Sequence, residues 1–599
     1  MYDKGWKQMD FICVTGDAYV DHPSFGIAII SRLIESMGYR VGIISQPRTD
    51  KDYTVFGKPK YGFFVTSGNI DSMVAHYTAA KKKRSDDFYS AGKKAGNRPD
   101  RAVIVYTKKI KELYQDTVVV IGGLEASLRR FAHYDYWDDK VRISILKDSG
   151  ADILEYGMGE RQTREICTRL EKGEDLNGIR GTCVMLPFFE LPSGYIELPS
   201  FEKVSADKAA YARAARIEQD EQDSVYGKTL IQKHTDKYLV QYPPALPLET
   251  DELDQIYELP YERYYHPCYE NQGGVPSILE VEFSVAHNRG CFGACNFCSI
   301  AFHQGRYVTV RSKESILKET RIISESPRFK GYIHDLGGPT ANFRQPSCLK
   351  QKEKGLCKGK KCLAPTPCPM LIADHKEYLD ILREMRSLPK IKKVFIRSGI
   401  RYDYLLCDKD DNFFKELVQY HVSGQLKVAP EHCSSSVLDC MGKPYIKAYK
   451  EFQKRYFEYT KKIGKEQYLV PYLMSSHPGS TVKDAIELAL FLKKERLHPE
   501  QVQDFYPTPG TISTCMYYTG LDPYTMKPVF VPKTYQEKAE QRALLQYFRP
   551  ENKEIVTKAL RKAGRADLIG FGKDCLVTLS APSKNGTSPK KYGKKGNKR

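Results

Sequence analysis

The sequence has almost no tryptophan and no long apolar run. Two of its 599 residues are Trp, and no stretch approaches the roughly 20 apolar residues that a helix needs to cross a bilayer. The opening residues, MYDKGWKQMDFICVTGDAY, lack the apolar region and cleavage site of a secretory signal. We therefore expect a cytoplasmic protein with no membrane partner.

Length and composition indicate a globular protein of several domains. A chain of 599 residues predicts roughly three or four domains. Apolar residues make up 41% and charged residues 28% of the chain, which is ordinary globular usage. Wholesale disorder and a single small module are both excluded.

The formal charge is +19, and it is concentrated at the C-terminus. Residues 581–599 contain seven Lys or Arg and no acidic residue, and their low complexity predicts a disordered basic tail. Such an excess of positive charge permits contact with RNA or another polyanion, but a solvated basic surface explains the excess equally well.

The first 200 residues predict a Rossmann-like parallel sheet. An apolar strand begins at Phe11 and is followed by a segment with helical spacing and by the strand GIIS. Further predicted strands are Tyr61–Thr66, Ala102–Tyr106, Thr117–Ile121 and Ala151–Tyr156. A ligand crevice is expected at the carboxyl ends of these strands.

Small and acidic residues stand at those strand ends. They are Gly16, Asp17, Asn69, Asp71, Gly122, Gly123, Glu125, Gly157, Gly159 and Glu160. They line a pocket or simply form tight turns. No G-x-G-x-x-G follows a strand here, so dinucleotide binding is not supported.

The rest of the chain predicts a connector, a partial barrel and a helical extension. We assign residues 201–275 to a helical and Pro/Tyr-rich connector, 276–510 to a partial (β/α)6 barrel of the TIM type, and 511–580 to a small helical extension. Six apolar strand patterns, each followed by a helix or loop, support the barrel. The fold class is thus α/β, with a Rossmann-like sheet preceding a partial barrel.

Three cysteines directly after the first barrel strand are the sharpest chemical signal. Cys291, Cys295 and Cys298 have the spacing C-x3-C-x2-C and follow the strand at the barrel end that carries active sites. Three thiolates can hold three irons of a [4Fe-4S] cluster and leave the fourth iron open, whereas a structural zinc normally has four ligands. The alternatives are a coincidental triplet or a zinc loop with a distant fourth ligand.

An open iron can bind the amino and carboxylate groups of S-adenosylmethionine (SAM). One electron from the cluster then cleaves SAM to a 5′-deoxyadenosyl radical. We expect Phe297 to pack near the adenine. His303, Gln304 and Arg306 follow closely, and they either shield the cluster, pair with a substrate anion, or hold the loop.

Several long segments resemble one protein family. They are DAYVDHPSFG, NIDSMVAHYT, RPDRAVIVYT, IGGLEASLRRFAHYDYW, YGMGERQ, PPALPLETDELDQIYELPYERYYHP, RGCFGACNFCSIAFHQGR, DLGGPTANF, RSGIRYDY, KVAPEH, SSHPGS and QDFYPTPGT. With the cysteine motif, they resemble the radical SAM superfamily, and within it the YgiQ-type radical SAM proteins.

The resemblance implies a set of SAM contacts at the barrel strand ends. Gly337 and Gly338 match the stretch that touches the SAM amino group, although Pro339 replaces the expected acidic residue. Ser398 and Arg401 match ribose and carboxylate contacts, and Glu431 follows the fourth strand. Each of the last three is alternatively an ordinary strand-end polar residue.

A second cysteine group lies in an insertion at residues 345–370. Cys348, Cys357, Cys362 and Cys368 provide four thiols within 21 residues. They predict a second metal site, either an iron–sulfur cluster or a structural zinc, or else they remain reduced in a flexible loop. The sequence does not choose the metal.

The N-terminal domain resembles the cobalamin-binding modules found before some radical SAM barrels. The axial-ligand signature D-x-H-x-x-G is absent, since Asp21 and His22 are adjacent and Gly26 follows at the wrong offset. Cobalamin is therefore not expected.

We predict a radical SAM enzyme that acts on an unidentified substrate, with catalytic residues unknown. The basic balance favours a macromolecular substrate, RNA or protein. The resemblance implies a flavodoxin- or ferredoxin-type electron donor. The alternative is an iron–sulfur RNA- or ribosome-associated protein that senses redox state without SAM turnover, and a zinc-stabilised scaffold is a third.

Overall fold

Nine strands form one sheet in the N-terminal part of the chain, which is described here from a computed structural model covering residues 4–578. In chain order they are β1 Phe11–Thr15, β2 Val41–Ser45, β3 Gly62–Thr66, β4 Val118–Ile121, β5 Ile153–Glu155, β6 Thr182–Leu186, β7 Ile196–Leu198, β8 Leu230–His234 and β9 Lys237–Gln241. Their order in the sheet is β7-β8-β9-β6-β5-β4-β3-β1-β2.

The first five strands are parallel and doubly wound. Strand β1 pairs with β2 on one side and with β3 on the other, and β4 and β5 follow in parallel. The chain order reverses between β1 and β3, which is where open parallel sheets bind ligands. Strand β1, with the sequence FICVT, is completely buried, as expected for a strand that is covered on both faces.

One predicted strand of this domain is wrong. Ala102–Tyr106 lies in the helix Ala102–Leu113. The buried residues of this helix, which include Val103, Tyr106 and Ile110, follow helical spacing. A short apolar run of β-branched residues has the same pattern in a buried strand and a buried helix, and here the helix extends through the polar residues that follow.

The sheet also continues beyond residue 200. Strands β8 and β9 form an antiparallel hairpin, and β9 pairs antiparallel with β6. This hairpin lies within the predicted connector. The Pro/Tyr-rich segment wraps back onto the first domain, where Tyr264–Tyr265 pairs with Val20–Asp21.

Six strand segments of the second half run parallel in chain order, as the sequence predicted for a partial barrel. They are β10 Ser284–Ala286, β11 Tyr332–Ile333 continued by β12 Asp335–Gly337, β13 Lys393–Val394, β14 Gln425–Glu431, β15 Tyr468–Ser475 and β16 Gln503–Asp504. Parallel pairs join β10 to β12, β11 to β13, β14 to β15 and β15 to β16. Leu336 N donates to Phe395 O at 3.0 Å and extends the pairing beyond β13.

Helices cover both units and form the C-terminal extension. Those of the first 275 residues are Gly26–Ser36, Asp50–Thr54, Ser72–His76, Ala102–Leu113, Gly123–Leu128, Ile145–Ser149, Glu160–Lys172, Phe201–Ala206, Lys208–Asp220 and Thr250–Tyr257. Those around the barrel are Ile278–Val281, Ile300–His303, Lys313–Ser324, Leu349–Lys354, Lys376–Ser387, Tyr402–Leu405, Asn412–Glu416, Ser435–Met441, Ile446–Lys462 and Val482–Lys494. The extension contains Ile512–Thr519, Tyr535–Leu545 and Lys553–Lys562.

The barrel core is made of apolar strand and helix residues. Val285, Leu336, Val394 and Leu426 from the strands are buried against the surrounding helices. The predicted basic tail, 581–599, lies outside the described residues. Among residues 4–578, no helix has the length and apolar composition that crossing a membrane requires.

Candidate cluster site and the cleft beside it

The three cysteines of the C-x3-C-x2-C motif lie in one loop, residues 290–299, which we call the cluster loop. It begins directly after Asn288–Arg289, which pairs antiparallel with Thr309–Val310, at the carboxyl end of β10. Cys291, Cys295 and Cys298 are each partly exposed and unpaired. Cys291 N donates to Gly305 O at 3.1 Å, which closes the loop.

Neighbouring helices hold the middle of the cluster loop. Asn296 N donates to Met441 O at 2.8 Å, and Asn296 Nδ2 donates to Cys440 O at 2.9 Å. Ser513 N donates to Asn296 O at 2.9 Å. The loop is therefore fixed from two sides by the backbone and by one side chain.

Two glycines of the loop leave room that a side chain would fill. Gly290 has φ +80, and a Cβ there would lie 1.8 Å from Tyr307 O. A Cβ on Gly293 would lie 2.5 Å from Arg401 Nη1 and 3.3 Å from Cys291 Sγ. The backbone thus approaches the thiols more closely than any other residue would allow.

Arg401 places a buried positive charge against the loop. Its Nη1 donates to Cys295 Sγ at 3.5 Å, and its Nε donates to Asp403 Oδ1 at 2.8 Å. Asp403 and the thiols of Cys295 and Cys291 raise the pKa of Arg401 against the opposing effect of burial. A cation at this position stabilises negative charge on the thiols.

The Cys298 thiol has a perturbed pKa. Burial, with smaller effects of the Cys295 and Cys291 thiols, raises its pKa to about 12. A bound cation would offset this cost, because a coordinating thiol is deprotonated by the metal.

Lys361, from the Cys-rich insertion, also reaches the cluster loop. Its Nζ donates to the carbonyl of Ala294, a non-glycine residue with φ +44. Burial lowers the pKa of Lys361 to about 8, although Cys295 and Cys362 oppose this shift. The insertion therefore covers the loop and secures a strained residue within it.

Glu431 is buried at the end of β14 in an unusual backbone conformation. Its φ is +66, and its Oε2 has no hydrogen-bond partner among the described residues. Burial raises the pKa of Glu431, and Lys443 and Arg401 partly offset this effect. A strained, buried carboxyl group with a free oxygen is typical of a binding site.

The predicted SAM contacts at β12 meet those of the next strand. A Cβ on Gly337 would lie 2.2 Å from Asp335 Oδ2 and 2.3 Å from Ser398 Oγ. Ser398 N donates to Asp335 Oδ1 at 3.2 Å. A Cβ on Gly338 would overlap Asn288 Oδ1 at 1.7 Å. These strand ends are packed so tightly that only glycine fits at both positions.

Phe297 lies on the other side of the loop. Its ring contacts that of His477 edge-on, with centroids 6.0 Å apart. It packs against the apolar cluster that contains Met441 and Phe505. Its predicted contact with adenine stays a prediction.

The donor set of the cluster loop consists of three thiols, which suit an iron–sulfur cluster. Within residues 4–578, no group of three or more His, Cys, Asp or Glu side chains is placed to hold one metal ion. Three thiolates on one short loop can each bind a different iron of a cubane. The close backbone approach at Gly290 and Gly293 and the Arg401 cation form the rest of the site around the thiols.

Only some members of the second cysteine group lie near one another. Cys368 N donates to Cys362 O at 2.9 Å, and the pKa of Cys362 is raised by burial and also responds to Cys348. Cys357 is exposed, and its carbonyl accepts a hydrogen bond from Arg306 Nη1 at 3.4 Å. A second metal site here stays a prediction.

A cleft of about 460 Å³ lies between the N-terminal sheet and the barrel. From the sheet side it is lined by the ends of β3, β4 and β5 and by the start of the helix Gly26–Ser36, and from the barrel side by residues around the cluster loop. The lining residues are Pro23, Ser24, Gly26, Ile27, Ile29, Ile30, Phe64, Val65, Thr66, Gly68, Asn69, Gly122, Gly123, Leu124, Glu155, Gly157, Met158, Gly159, Glu160, Tyr257, Ala286, Asn288, Arg289, Ser299, Ile300, His303, Gln304, Gly338 and Pro339.

Several strand-end residues singled out in the sequence line this cleft. Asn69, Gly122, Gly123, Gly157, Gly159 and Glu160 are among them. Gly16, Asp17, Asp71 and Glu125 do not line it; Asp17 pairs with Arg98 and Asp71 with Arg129. The crevice expected from a parallel sheet is thus present, and the barrel closes its open side.

Glu155 is the most perturbed acid of the cleft. Burial raises its pKa to about 8, and its Oε2 accepts a hydrogen bond from Thr163 Oγ1 at 3.0 Å. Gly122 and Gly159 leave the space that its carboxyl group occupies. At neutral pH this side chain is a neutral carboxylic acid.

Four residues at the site were not predicted from the sequence, namely Lys361, Asp403, Asn288 and Glu155. Asn288 and Arg289 directly precede the motif, in HNRGC, and this position was their only local signal. The other residues reach the site only through tertiary contacts.

Comparison with known proteins agrees with these features. The family model "Radical SAM N-terminal" matches residues 1–284, and the model of a domain of unknown function, DUF3362, matches residues 500–599. A UPF0313 protein of Clostridium botulinum (strain ATCC 19397 / Type A) is 58% identical over 579 residues, covering 96% of this chain and 90% of that protein. A UPF0313 protein of Clostridium perfringens (strain ATCC 13124) is 56% identical over 583 residues, covering 96% and 88%.

Solved structures show a more distant likeness. The radical SAM methyltransferase TsrM of Kitasatospora setae, solved with tryptophan and a SAM analogue, is 14% identical with a TM-score of 0.48, over 85% of this chain and 76% of that chain. The cobalamin-dependent SAM radical enzyme OxsB, solved with aqua-cobalamin, is 10% identical with a TM-score of 0.47, over 95% and 78%. On its close relatives, the chain belongs to the UPF0313 family.

Proposed function

We propose that Cys291, Cys295 and Cys298 bind a [4Fe-4S] cluster at which SAM is reductively cleaved, and that the resulting radical acts on a substrate in the adjacent cleft. The radical SAM family implies the cluster and SAM. When bound, such a cluster donates one electron to SAM and releases methionine and a 5′-deoxyadenosyl radical. The side chains of this chain would hold the cluster loop and bind SAM and the substrate.

One observation carries the proposal: the motif and the cleft share a border. Ser299 and Ile300, directly after Cys298, line the cleft, and so do Gly338 and Pro339 at the end of the second barrel strand. A substrate in the cleft would therefore lie next to both the cluster loop and the predicted SAM contacts. This proximity is what a short-lived radical requires.

The surrounding charges support SAM binding at the same end of the barrel. Arg401 holds its guanidinium against Cys295 and Asp403, so it positions the loop and offsets thiolate charge. Glu431 has a carboxyl oxygen without a hydrogen-bond partner among the described residues, and this oxygen can accept from the ammonium or ribose hydroxyl groups of SAM. Ser398 is held at the strand end by Asp335.

The partners of this reaction remain predictions. A flavodoxin- or ferredoxin-type donor would supply the electron. The basic charge, the C-terminal tail and the extra domains favour an RNA or protein substrate, although no lysine is among the described residues that line the cleft. Cobalamin stays a cofactor that we do not expect, and a cytoplasmic location stays an expectation.

Electron paramagnetic resonance (EPR) tests the proposal before any substrate is known. The anaerobically reconstituted and reduced protein should show a [4Fe-4S]⁺ signal whose shape changes when SAM is added, because SAM binds the open iron. Cys298→Ala should lose the cluster signal, whereas Cys268→Ala, which removes an exposed thiol outside the motif, should keep it. A full signal that SAM does not alter would favour the redox-sensing alternative, and no iron in the wild type would favour a zinc scaffold.

A further inference from the structure

Charged side chains in the cleft cancel one another. Glu155, Glu160 and Arg289 are the acidic and basic residues among its lining. Arg289 Nη1 donates to Glu160 Oε1 at 2.5 Å, which joins the barrel to the N-terminal domain. Glu155 is protonated at neutral pH because burial raises its pKa to about 8, and the cleft therefore has no net charge.

The ion pair keeps one donor and one acceptor free. Arg289 Nη2 and Glu160 Oε2 have no hydrogen-bond partner among the described residues, although both side chains are more than nine-tenths buried. Arg289 Nε is already directed at Tyr257 Oη, 3.3 Å away. A carboxamide or lactam edge, with a carbonyl oxygen beside an N–H, matches such a pair.

Two further cleft residues have unused hydrogen-bonding atoms. Asn288 Oδ1 has no partner within residues 4–578, while its Nδ2 donates to Thr340 O at 2.9 Å. His303 Nδ1 is also unpartnered there, and burial lowers the pKa of this ring to about 4, so it is neutral. Most of the polar cleft atoms without a hydrogen-bond partner are therefore poorly suited to binding an anion.

The remaining walls are apolar and small. Ile27, Ile30, Phe64, Met158 and Ile300 provide apolar surface, and glycines form the strand-end edges. A volume of about 460 Å³ lies within the range of sites for small organic ligands.

We infer that the cleft binds an uncharged small organic molecule with a carboxamide or lactam edge, which the Arg289–Glu160 pair and Asn288 recognise. This inference rests on the proposed function in taking the cleft as the substrate site. It names the substrate class that the reaction would take.

Anions are disfavoured by the same geometry. Arg289 is already neutralised by Glu160, and a carboxylate or phosphate buried beside that pair would have no countercharge of its own. Of the predicted SAM contacts, Gly338 lines the cleft, whereas Ser398, Arg401 and Glu431 do not. The inferred ligand is therefore placed beside the predicted SAM site rather than within it.

Matched pairs of probes test the charge preference. Nicotinamide with nicotinate, and indole-3-acetamide with indole-3-acetate, keep the ring and exchange an amide for an acid. Binding to the full-length, cluster-reconstituted protein is measured by saturation-transfer NMR titration at pH 7. We expect at least one amide to bind at least tenfold more tightly than its acid.

Two variants and one control variant locate the binding. Gly26→Leu places a side chain in the cleft, and a Cβ at this position meets no atom within 4 Å, so the fold should be kept and amide binding lost. Lys172→Leu is its control, exposed at the far end of the helix Glu160–Lys172. Glu160→Gln frees the Arg289 charge and should shift the preference toward the acids by tenfold or more, with circular dichroism confirming the fold.

The outcomes are decisive for the inference. Equal or tighter binding of the acids, absence of binding by every amide, or unchanged amide binding in Gly26→Leu would overturn it. The titration needs no SAM turnover, so its failure is separate from failure of the proposed function. Amide binding without SAM cleavage would instead contradict the proposed function and leave the cleft as a ligand site.

Discussion

Arg401 donates a hydrogen bond to the sulfur of Cys295 across 3.5 Å. The two residues lie more than a hundred positions apart, at the ends of different barrel strands. Asp403 fixes the guanidinium from the opposite side. If the guanidinium moved away from the thiol, the Asp403 carboxylate would remain buried without its cation. This contact links the third strand of the barrel to the cluster loop.

Removing the Arg401 charge should make the cluster harder to reduce. A nearby cation stabilises the added electron, so Arg401→Gln should lower the reduction potential by on the order of 50 to 100 mV, because a buried unit charge interacts with that electron across a medium less polar than water. EPR-monitored redox titration measures the change. Arg401→Lys keeps the charge, so its reduction potential should differ from that of the wild type by no more than about a third of that shift. Equal potentials in wild type and Arg401→Gln, at equal iron content, would refute this role.

Lys361 should protect the cluster from loss of iron. Its bond to the Ala294 carbonyl secures a strained residue of the cluster loop, so Lys361→Met should lose iron to a chelator several-fold faster than the wild type. Lys360→Met changes the exposed neighbouring lysine and should lose iron at the wild-type rate. Chelator absorbance under anaerobic conditions follows both reactions. The role of Lys361 is wrong if both variants lose iron alike.

Gly337→Ala should weaken SAM binding without removing the cluster. A Cβ at Gly337 would overlap Asp335 Oδ2 and Ser398 Oγ at 2.2 and 2.3 Å, so the ends of two strands must shift. We expect the Kd of SAM to rise at least tenfold while iron content is unchanged, as measured by equilibrium dialysis. Gly26→Ala, where the added Cβ meets open space, is the matched control. Unchanged SAM affinity in Gly337→Ala would place SAM elsewhere.

Glu155 should make stability fall as the pH rises. Its pKa is about 8 in the folded protein, against a usual value of 4.5, so between these values the folded state holds a proton that the unfolded state has lost. The slope of the free energy of unfolding with pH is then negative over this range. Glu155→Gln lacks this proton and should gain in Tm relative to wild type from pH 5 to pH 8. A constant Tm difference across that range would show that the Glu155 carboxyl titrates normally.

The features that could be predicted best from the sequence are those that depend on residues close together in the chain. The three cysteines stand within eight residues, and each barrel strand has an apolar run followed by a helix, so motif and barrel could be recognised without tertiary information. The segment Ala102–Tyr106 could not be assigned correctly, because its apolar run fits a buried strand or a buried helix equally well.

The cleft was predicted only in outline. The strand-end glycines indicated a crevice, but the Arg289–Glu160 pair joins residues 129 positions apart, and no local pattern shows that contact. The same holds for Lys361, whose partner Ala294 lies on another loop. Such contacts depend on how the insertion and the two units pack.

Release of 5′-deoxyadenosine from SAM is the most direct test of the central claim. The anaerobically reconstituted protein is incubated with SAM and dithionite beside Cys298→Ala and Cys268→Ala prepared in the same way. The account predicts release by the wild type and by Cys268→Ala and none above background by Cys298→Ala. A wild-type protein that holds a full [4Fe-4S] cluster and releases no 5′-deoxyadenosine would contradict it.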